Sequence, residues 1–537
     1  MGSSRSGIPL QDFYNYDDVQ NDFVKNIPKP GEYPFTRGHR SKAQPVGAWI
    51  HRELSGEGGP VKSNEQLKYL IEQGQKGIDV IGDAATQGWM DPDHPLVVHS
   101  VGTQGVSACC RDDYLKLYKD IPLDAISIST SLPPLFSLVG LVHAANEANV
   151  PIEKLRGSLI QAPLYTEDCG YACNLPIELR IRLATDTMEF CTLHMPKYHS
   201  YLEDTYFFSE SGLVTAVEEI ALGFVQIRLL VREMLKRGHD IDSFAPRIAI
   251  LVNCGMDFFE EIAKIRATRH LFARLMKEEF GAKDSRSLSV VIACHTSGIS
   301  LTAQQPVNNI IRGSIQALAL VLSGVHAIEI SAFDEAYRTP SPESHMVGLR
   351  TQQVIELETG VTKVLDPLGG SYYLENLTKN LEEKIWEMVE EIEDKGDPAV
   401  LSENGFFKGI FQNAMERYSN QIKSGDLSVV GLNVLQIPPE EDTLLKEVSE
   451  QKIEPYYERI KEIEEMKNSR NKNNLKKALR KLYTHAQSPD ANLVAATIEA
   501  MAANATAGEI TGTLRMAYGG PYDYHGLVKP PVEGVDK

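Results

Sequence analysis

The sequence predicts an α/β fold: a (β/α)8 TIM barrel with an extended N-terminal arm and a C-terminal helical region. Three observations carry the prediction. From about residue 64, short β-branched or apolar runs alternate with longer helical stretches, the pattern of parallel βαβ units. There are eight such strand candidates, the number that closes a barrel, with a doubly wound open sheet as the alternative architecture. Before residue 60 the chain is rich in Pro, Gly and Tyr, and beyond about residue 375 no further strand signal occurs.

The elements follow in order. Residues 1–60 read as an arm with little periodicity. The barrel is expected over 61–400. Its strand candidates are Gly77–Gly82, Ala125–Ser129, Gly157–Gln161, Ser200–Phe208, Arg247–Val252, Leu288–Ala293, Ala327–Ser331 and Thr362–Leu365. Helical stretches precede, separate or follow them at Asn64–Gln75, Leu135–Asn149, Ile177–Leu193, Leu213–Gly238, Glu260–Phe280, Val307–Leu322 and Glu343–Leu357. Leu377–Lys395 reads as a charged amphipathic helix. Residues 401–537 form the helical remainder, where Ile453–Leu482 is dense in Glu and Lys and is broken at Asn468–Asn474. Ala491–Met516 is Ala-rich and helical.

Composition excludes several classes. The 54 Lys and Arg against 73 Asp and Glu leave a formal charge of −19. Such a surface repels nucleic acid and anionic membrane, so neither is expected as a partner. No apolar run reaches the roughly 18 residues that span a bilayer. Seven scattered cysteines read as the thiols of a cytoplasmic protein and not as a disulfide framework. Cys169-x-x-x-Cys173 lacks a second ligand pair, so no metal site is expected.

Function comes from long, unusual strings in a fixed order. They are Pro30-Gly-Glu-Tyr33-Pro-Phe-Thr-Arg37-Gly38, Phe244-Ala-Pro-Arg247, Thr296-Ser-Gly-Ile-Ser-Leu-Thr-Ala-Gln304, Asn308-Asn309-Ile-Ile-Arg312, Asp334-Glu335-Ala336, Asp366-Pro-Leu-Gly-Gly-Ser371, Ala491-Asn-Leu-Val-Ala-Ala and Ala507-Gly-Glu-Ile510. Over about residues 28–520 the chain resembles the methylmalonyl-CoA mutase family of adenosylcobalamin-dependent enzymes. The resemblance implies a barrel that encloses an acyl-CoA, with the cofactor at its C-terminal mouth. A radical needs such a closed, dry site.

The family's cobalt-ligating string is Asp-x-His-x-x-Gly. Here the nearest match is Asp523-Tyr524-His525, with Val528 at the sixth position. The expectation is therefore that the cobalamin-binding domain is absent and that a separate small cobalamin-binding subunit holds the lower half of adenosylcobalamin. The resemblance to split-subunit members implies a large subunit, an acyl-CoA substrate and a heterotetramer.

By the same resemblance, Gln161 lies beside the reacting acyl group, and Glu335 grips the adenosyl ribose hydroxyls. Two acceptor oxygens suit a vicinal diol. Gly56 lets backbone pass close to the adenosyl group. Glu210 and Gly212 match Tyr-x-x-x-Glu-x-Gly in Tyr206-Phe-Phe-Ser-Glu210-Ser-Gly212, and Glu210 is expected to order the cobalamin face. Arg247 is expected to contact CoA, and Ser129 to line the acyl channel.

Departures sit among these positions. Phe207 stands where the family has a carbonyl-binding histidine after Tyr206, and Leu54 where it has a tyrosine. The arginine that holds the methylmalonyl carboxylate falls in Glu167–Cys173, which contains no Arg or Lys. His39, Arg40, Ser41, Lys42 and Gly47 replace the usual residues of the CoA-binding segment. His295 and His326 replace glutamines, and either is a candidate donor for the carbonyl. The expected enzyme is an isomerase acting on a non-methylmalonyl, bulky or aromatic acyl-CoA. The competing expectation is a catalytically silent subunit paired with an active mutase chain.

Overall fold

The structure, a computed structural model, describes residues 2–19, 27–165, 175–208, 212–449 and 454–536. Nine strands occur among them: β1 Ile50–Arg52, β2 Leu54–Ser55, β3 Gly77–Ile81, β4 Ser127–Ser131, β5 Arg156–Gln161, β6 Tyr198–Asp204, β7 Ile248–Cys254, β8 Val291–Thr296 and β9 Ala327–Glu329. They form one parallel sheet in the order β1-β9-β8-β7-β6-β5-β4-β3-β2. The two outermost strands of that order are consecutive in the chain, with Glu53 alone between them. The fold class is thus an α/β TIM-like barrel with surrounding helices and a helical C-terminal region.

Helices longer than seven residues are α1 Pro60–Glu72, α2 Pro134–Glu147, α3 Ile177–His194, α4 Ala216–Lys236, α5 Phe258–Arg274, α6 Asn308–Ser323, α7 Pro342–Glu358, α8 Tyr372–Lys395, α9 Phe406–Ser424, α10 Glu458–Ser469, α11 Lys472–Gln487, α12 Leu493–Ala502 and α13 Ala507–Ala517. Local chemistry sets their ends. Thr215 and Glu218 form a reciprocal cap on α4, and Thr506 and Glu509 do the same for α13, as Thr-x-x-Glu sequences do. Gly324, at φ +69°, ends α6 in the left-handed region that favours glycine.

Four strand assignments differ from expectation. β1 and β2 lie inside the stretch read as an arm, and Thr362–Leu365 is no strand. That stretch begins with the single helical turn Val361–Lys363 after Gly360 at φ +73°, so its β-branched residues have no ladder to join. The expected strand Ser200–Phe208 also ends early. Its last four residues turn into the short helix Thr205–Phe208.

The chain packs as two compact units, Met1–Glu53 with Leu202–Gln451 and Leu54–Tyr201 with Lys452–Lys537. In the second, Ile78, Val80, Ile128 and Leu159 from the strands join Leu135, Leu138 and Leu141 of α2 and Leu475, Leu479 and Leu482 of α11 in one buried cluster. Burying each such side chain is worth about 1.5–3 kcal/mol. Arg459 of α10 is buried against Asp113 at 2.5 Å, and Asp113 also accepts from the backbone N–H groups of Cys109 and Cys110. In the first unit, Arg266 of α5 is buried against Asp366 and Glu375 at 2.5 and 2.6 Å, which ties α5 to the start of α8.

Candidate active site

Strand alternation decides which side chains face away from the helices. In the first unit, Cys254 reaches the Gln316 carbonyl of α6 and is paired in register with Thr296. Asn253 and His295, one position earlier, therefore share the opposite, interior face. Register continues His295↔Glu329 and Glu329↔Arg52. The interior face of this unit thus carries Arg52, Glu329 and His295 in one row.

This row is a buried polar network. His295 Nε2 lies 3.7 Å from Glu329 Oε2, and Glu329 Oε1 lies 3.9 Å from Arg52 Nη1. His295 is 2% exposed, and burial pushes its pKa down to about 4. The ring is therefore neutral near pH 7. Its Nδ1 lies 3.0 Å from the Thr296 carbonyl and 3.3 Å from Ser331 Oγ. A carbonyl only accepts, so Nδ1 carries the proton and Nε2 is left as an acceptor. This tautomer differs from the carbonyl donor that the sequence suggests for His295. Tyr206 rests on the ring, with centroids 4.3 Å apart.

His326 sits elsewhere. It precedes β9 at the strand's N-terminal end, stacked on His39 with centroids 3.8 Å apart, and its Nδ1 accepts from the Ile292 N–H. Burial and the cations Arg269 and Arg40 push His39 down to about 3. Arg247 lies at the same end of β7, in the turn Ala245–Arg247. Burial and then Arg286 lower its pKa. The two histidines expected to be interchangeable are thus at opposite ends of their strands.

At the C-terminal end of β9, Glu335 is half-buried and accepts from the Ala332 N–H at 3.0 Å. Burial pushes its carboxyl up to about 7. Glu53, fully buried after β1, accepts from Gln352 Nε2 at 3.1 Å. Its pKa is raised well above normal by burial, lowered in part by Gln352 and raised again by the Glu335 charge. Gly348 makes room for it, since a Cβ there would stand 2.5 Å from Glu53 Oε2.

The second unit supplies its own interior row: Leu54↔Asp79, Asp79↔Ser129 and Ser129↔Ser158. Ser129 and Ser158 hydroxyls are 2.7 Å apart, and Asp79 accepts from Ser131 N–H and Oγ. Gln161 does not join this face. It shares alternation with Leu159, which packs among the helices, and its amide donates to Thr187 Oγ1 of α3 at 3.1 Å and to the Ser200 carbonyl at 2.8 Å. Ile160 takes the interior side instead. Gly56, at φ +148°, has a reason within the sheet: a Cβ would stand 2.5 Å from the Ile81 carbonyl.

Phe207 belongs to the helical turn Thr205–Phe208. Glu210 and the Glu167–Cys173 stretch lie outside the described residues. Gly212, at φ +117°, fits where a Cβ would meet Ser297 Oγ at 2.6 Å and Asn253 Nδ2 at 2.8 Å. Asp523, of the cobalt-ligand near match, accepts from the Leu527 and Val528 N–H groups and pairs with His94 at 3.3 Å. Cys109, Cys110 and Asp113 bring ligand-type atoms within 4.8 Å, but Arg459 already neutralises that carboxylate.

Sequence reasoning missed Arg52, Glu53, Asp79, Ser158 and Glu329. The signal was present. Each is a polar residue inside or just after a short strand, where buried charge is rare unless paired.

The methylmalonyl-CoA mutase sequence profile matches residues 3–520. The chain belongs to the methylmalonyl-CoA mutase family. It is 34% identical over 515 residues to methylmalonyl-CoA mutase of Rhizobium meliloti (strain 1021), covering 96% of this chain and 72% of that one. It is 33% identical over 520 residues to the 2-hydroxyisobutanoyl-CoA mutase large subunit of Aquincola tertiaricarbonis, covering 95% and 91%. Mitochondrial methylmalonyl-CoA mutase of Homo sapiens is 33% identical, with coverage of 96% and 68%. These family members are mutases, enzymes of the isomerase class. Among the described residues no helix is long and apolar enough to cross a membrane.

Proposed function

We propose that this chain is the catalytic large subunit of an adenosylcobalamin-dependent acyl-CoA mutase, paired with a separate small cobalamin-binding subunit in a cytoplasmic heterotetramer. One comparison carries the reading. The chain is 33% identical over 520 residues to a relative named as a large subunit, a name that implies a small partner subunit.

The residues fit the cofactor's sugar. Glu335, at the C-terminal end of β9, offers carboxyl oxygens to a vicinal diol, and Glu53 stands close enough to feel its charge. Adenosylcobalamin, when bound, supplies a carbon radical through homolysis of its cobalt–carbon bond. The protein's task is to hold the acyl group and to keep water out. In the first unit, Ala293 and Tyr206, which rests on His295, supply apolar wall beside that polar ring; in the second, Leu54 stands in register with the polar row Asp79, Ser129 and Ser158.

The acyl group we propose is a non-methylmalonyl one, bulky or aromatic. Glu167–Cys173 contains no Arg or Lys, and Arg52, a cation on the interior face of the first unit, already faces Glu329. A free carboxylate would lack the charge-assisted partner that its burial requires.

The test is reconstitution of the chain with a small cobalamin-binding subunit from its own source, adenosylcobalamin and a panel of thioesters, followed by mass spectrometry of the products. Isomerisation of branched or aromatic acyl-CoA, with methylmalonyl-CoA untouched, is expected. Methylmalonyl-CoA as the fastest substrate would overturn the substrate class. Turnover of none of them, with the chain bound to a second active mutase chain, would establish the silent-subunit reading instead.

A further inference from the structure

The first unit holds a cavity of about 1500 Å3. Helices α6, α8 and α9 border it, with Ile299 from the turn after β8. None of Arg52, Glu329 and His295 of the interior row does. On α6, Ile311 and Ile315 stand one turn apart and line the cavity, 59% and 37% exposed. Exposed aliphatic side chains in a concave wall offer a surface for the apolar part of a ligand. Most small-molecule pockets measure roughly 300–1,000 Å3, so the space admits such a ligand together with water.

Between the two isoleucines in sequence stands Arg312, which also lines the cavity and is 8% exposed. Its Nη1 donates to Thr302 Oγ1 at 2.9 Å and to Asn309 Oδ1 at 2.6 Å, and its Nη2 donates to the Val430 carbonyl at 2.7 Å. All three acceptors are neutral. A guanidinium has five N–H donors, so among the described residues Nε–H and one Nη2–H have no acceptor. Buried charges are rare unless paired. Burial lowers the Arg312 pKa, and the group acting the other way is the Tyr418 phenol, not a carboxylate. Tyr418, on α9, donates to the Ile299 carbonyl at 3.3 Å and stands near both Arg312 and Arg5. The acids that border the cavity do not serve Arg312. Glu218 is held by Arg417 at 3.0 and 2.6 Å, Asp257 takes the Arg5 N–H, and Asp426 takes Ser424 Oγ. Glu387 and Glu391 stand exposed on α8.

We propose that this cavity is a second ligand site for a small anionic amphiphile, whose carboxylate or phosphate oxygens take the unengaged N–H groups of Arg312 and whose apolar chain lies along Ile311 and Ile315. A planar guanidinium offers such oxygens two donors at once, which an ammonium does not. The site does not depend on the proposed mutase activity.

The experiment is titration calorimetry of the full chain with octanoate, octyl phosphate and octanol. At least one of the two anions is expected to bind with a Kd below about 1 mM, and octanol at least about tenfold more weakly, as loss of a charge-assisted pair predicts. Whichever anion binds more tightly identifies the head group. Arg312→Lys weakens that anion about tenfold. Ile315→Glu, at a partly exposed position that leaves the fold intact, weakens it by at least as much through like charge and lost apolar contact. Thermal melts confirm that each variant is folded; if Arg312→Lys is not, Ile315→Glu decides alone. Octanol binding as tightly as the anions overturns the anionic head. No binding of any probe overturns the site. Unchanged affinity in every folded variant puts the probe elsewhere on the chain and overturns it equally.

Discussion

Tyr206 lies against His295, ring centroids 4.3 Å apart and planes inclined at 34°, so the end of β8 supports the short helix that follows β6. His295 is itself fixed by the Thr296 carbonyl. His295→Ala removes the surface under Tyr206. The expected loss is about 10- to 100-fold in kcat, the scale of a misplaced group near the reacting centre. His326→Ala, at the other end of its strand, leaves kcat within about threefold. Steady-state kinetics of the two variants checks this, and equal losses would contradict the placement.

Stability has a defined pH response. His295 and His39 are held neutral, with pKa values of about 4 and about 3, below the unfolded value of about 6.5. As pH falls below 6.5 the unfolded chain takes protons that the folded chain refuses, so stability drops by about 1.4 kcal/mol per pH unit for each group. Glu335 runs the other way. Raised to about 7, it contributes stability that is complete below about 4.5 and lost as pH rises through 7. Glu335→Gln therefore steepens the fall in melting temperature between pH 6.5 and 4.5, and raises stability at pH 8 by up to about 2 kcal/mol. Thermal melts across pH check both signs.

Gln161 is expected to be structural. Its amide satisfies the Ser200 carbonyl and Thr187, so Gln161→Ala costs about 1–3 kcal/mol, the cost of an unpaired buried group. Its kcat stays within a few fold. A hundredfold loss of kcat at unchanged melting temperature would instead put the side chain on the substrate.

Arg459→Ala leaves Asp113 as a buried uncompensated carboxylate. Breaking such a pair costs about 3–5 kcal/mol. The double variant Arg459→Met with Asp113→Asn recovers much of that loss. Urea midpoints of the unaltered chain, Arg459→Met, Asp113→Asn and the double variant give the coupling directly.

The barrel was legible because most of its strands alternate with long helices, and β3, β5 and β9 fall within a few residues of where periodicity puts them. β1 and β2 were not. Ile50-His-Arg52 and Leu54-Ser55 are too short for any period to show, and their hydrogen bonds come from distant β9 and nearby β3. The family was legible from its strings. The roles of individual residues were less so, because a one-position offset along a strand reverses the face. Gln161 and Ile160 exchange sides on that account, and only backbone register reveals it. The tautomer of His295 depends on a carbonyl from its own neighbour, and no pattern of residue types encodes that bond.

The buried cluster that joins β3–β5 and α2 to α11 and α12 has a consequence for how the protein is made. Residues Leu54–Tyr201 leave the ribosome before the Leu202–Gln451 stretch, about 250 residues long, and the helices that complete their core come after it. At about 5–20 residues per second, that wait is on the order of 10–50 seconds. Half a core stays exposed throughout translation, so nascent chains of this protein should be bound by holding chaperones until the last helices emerge.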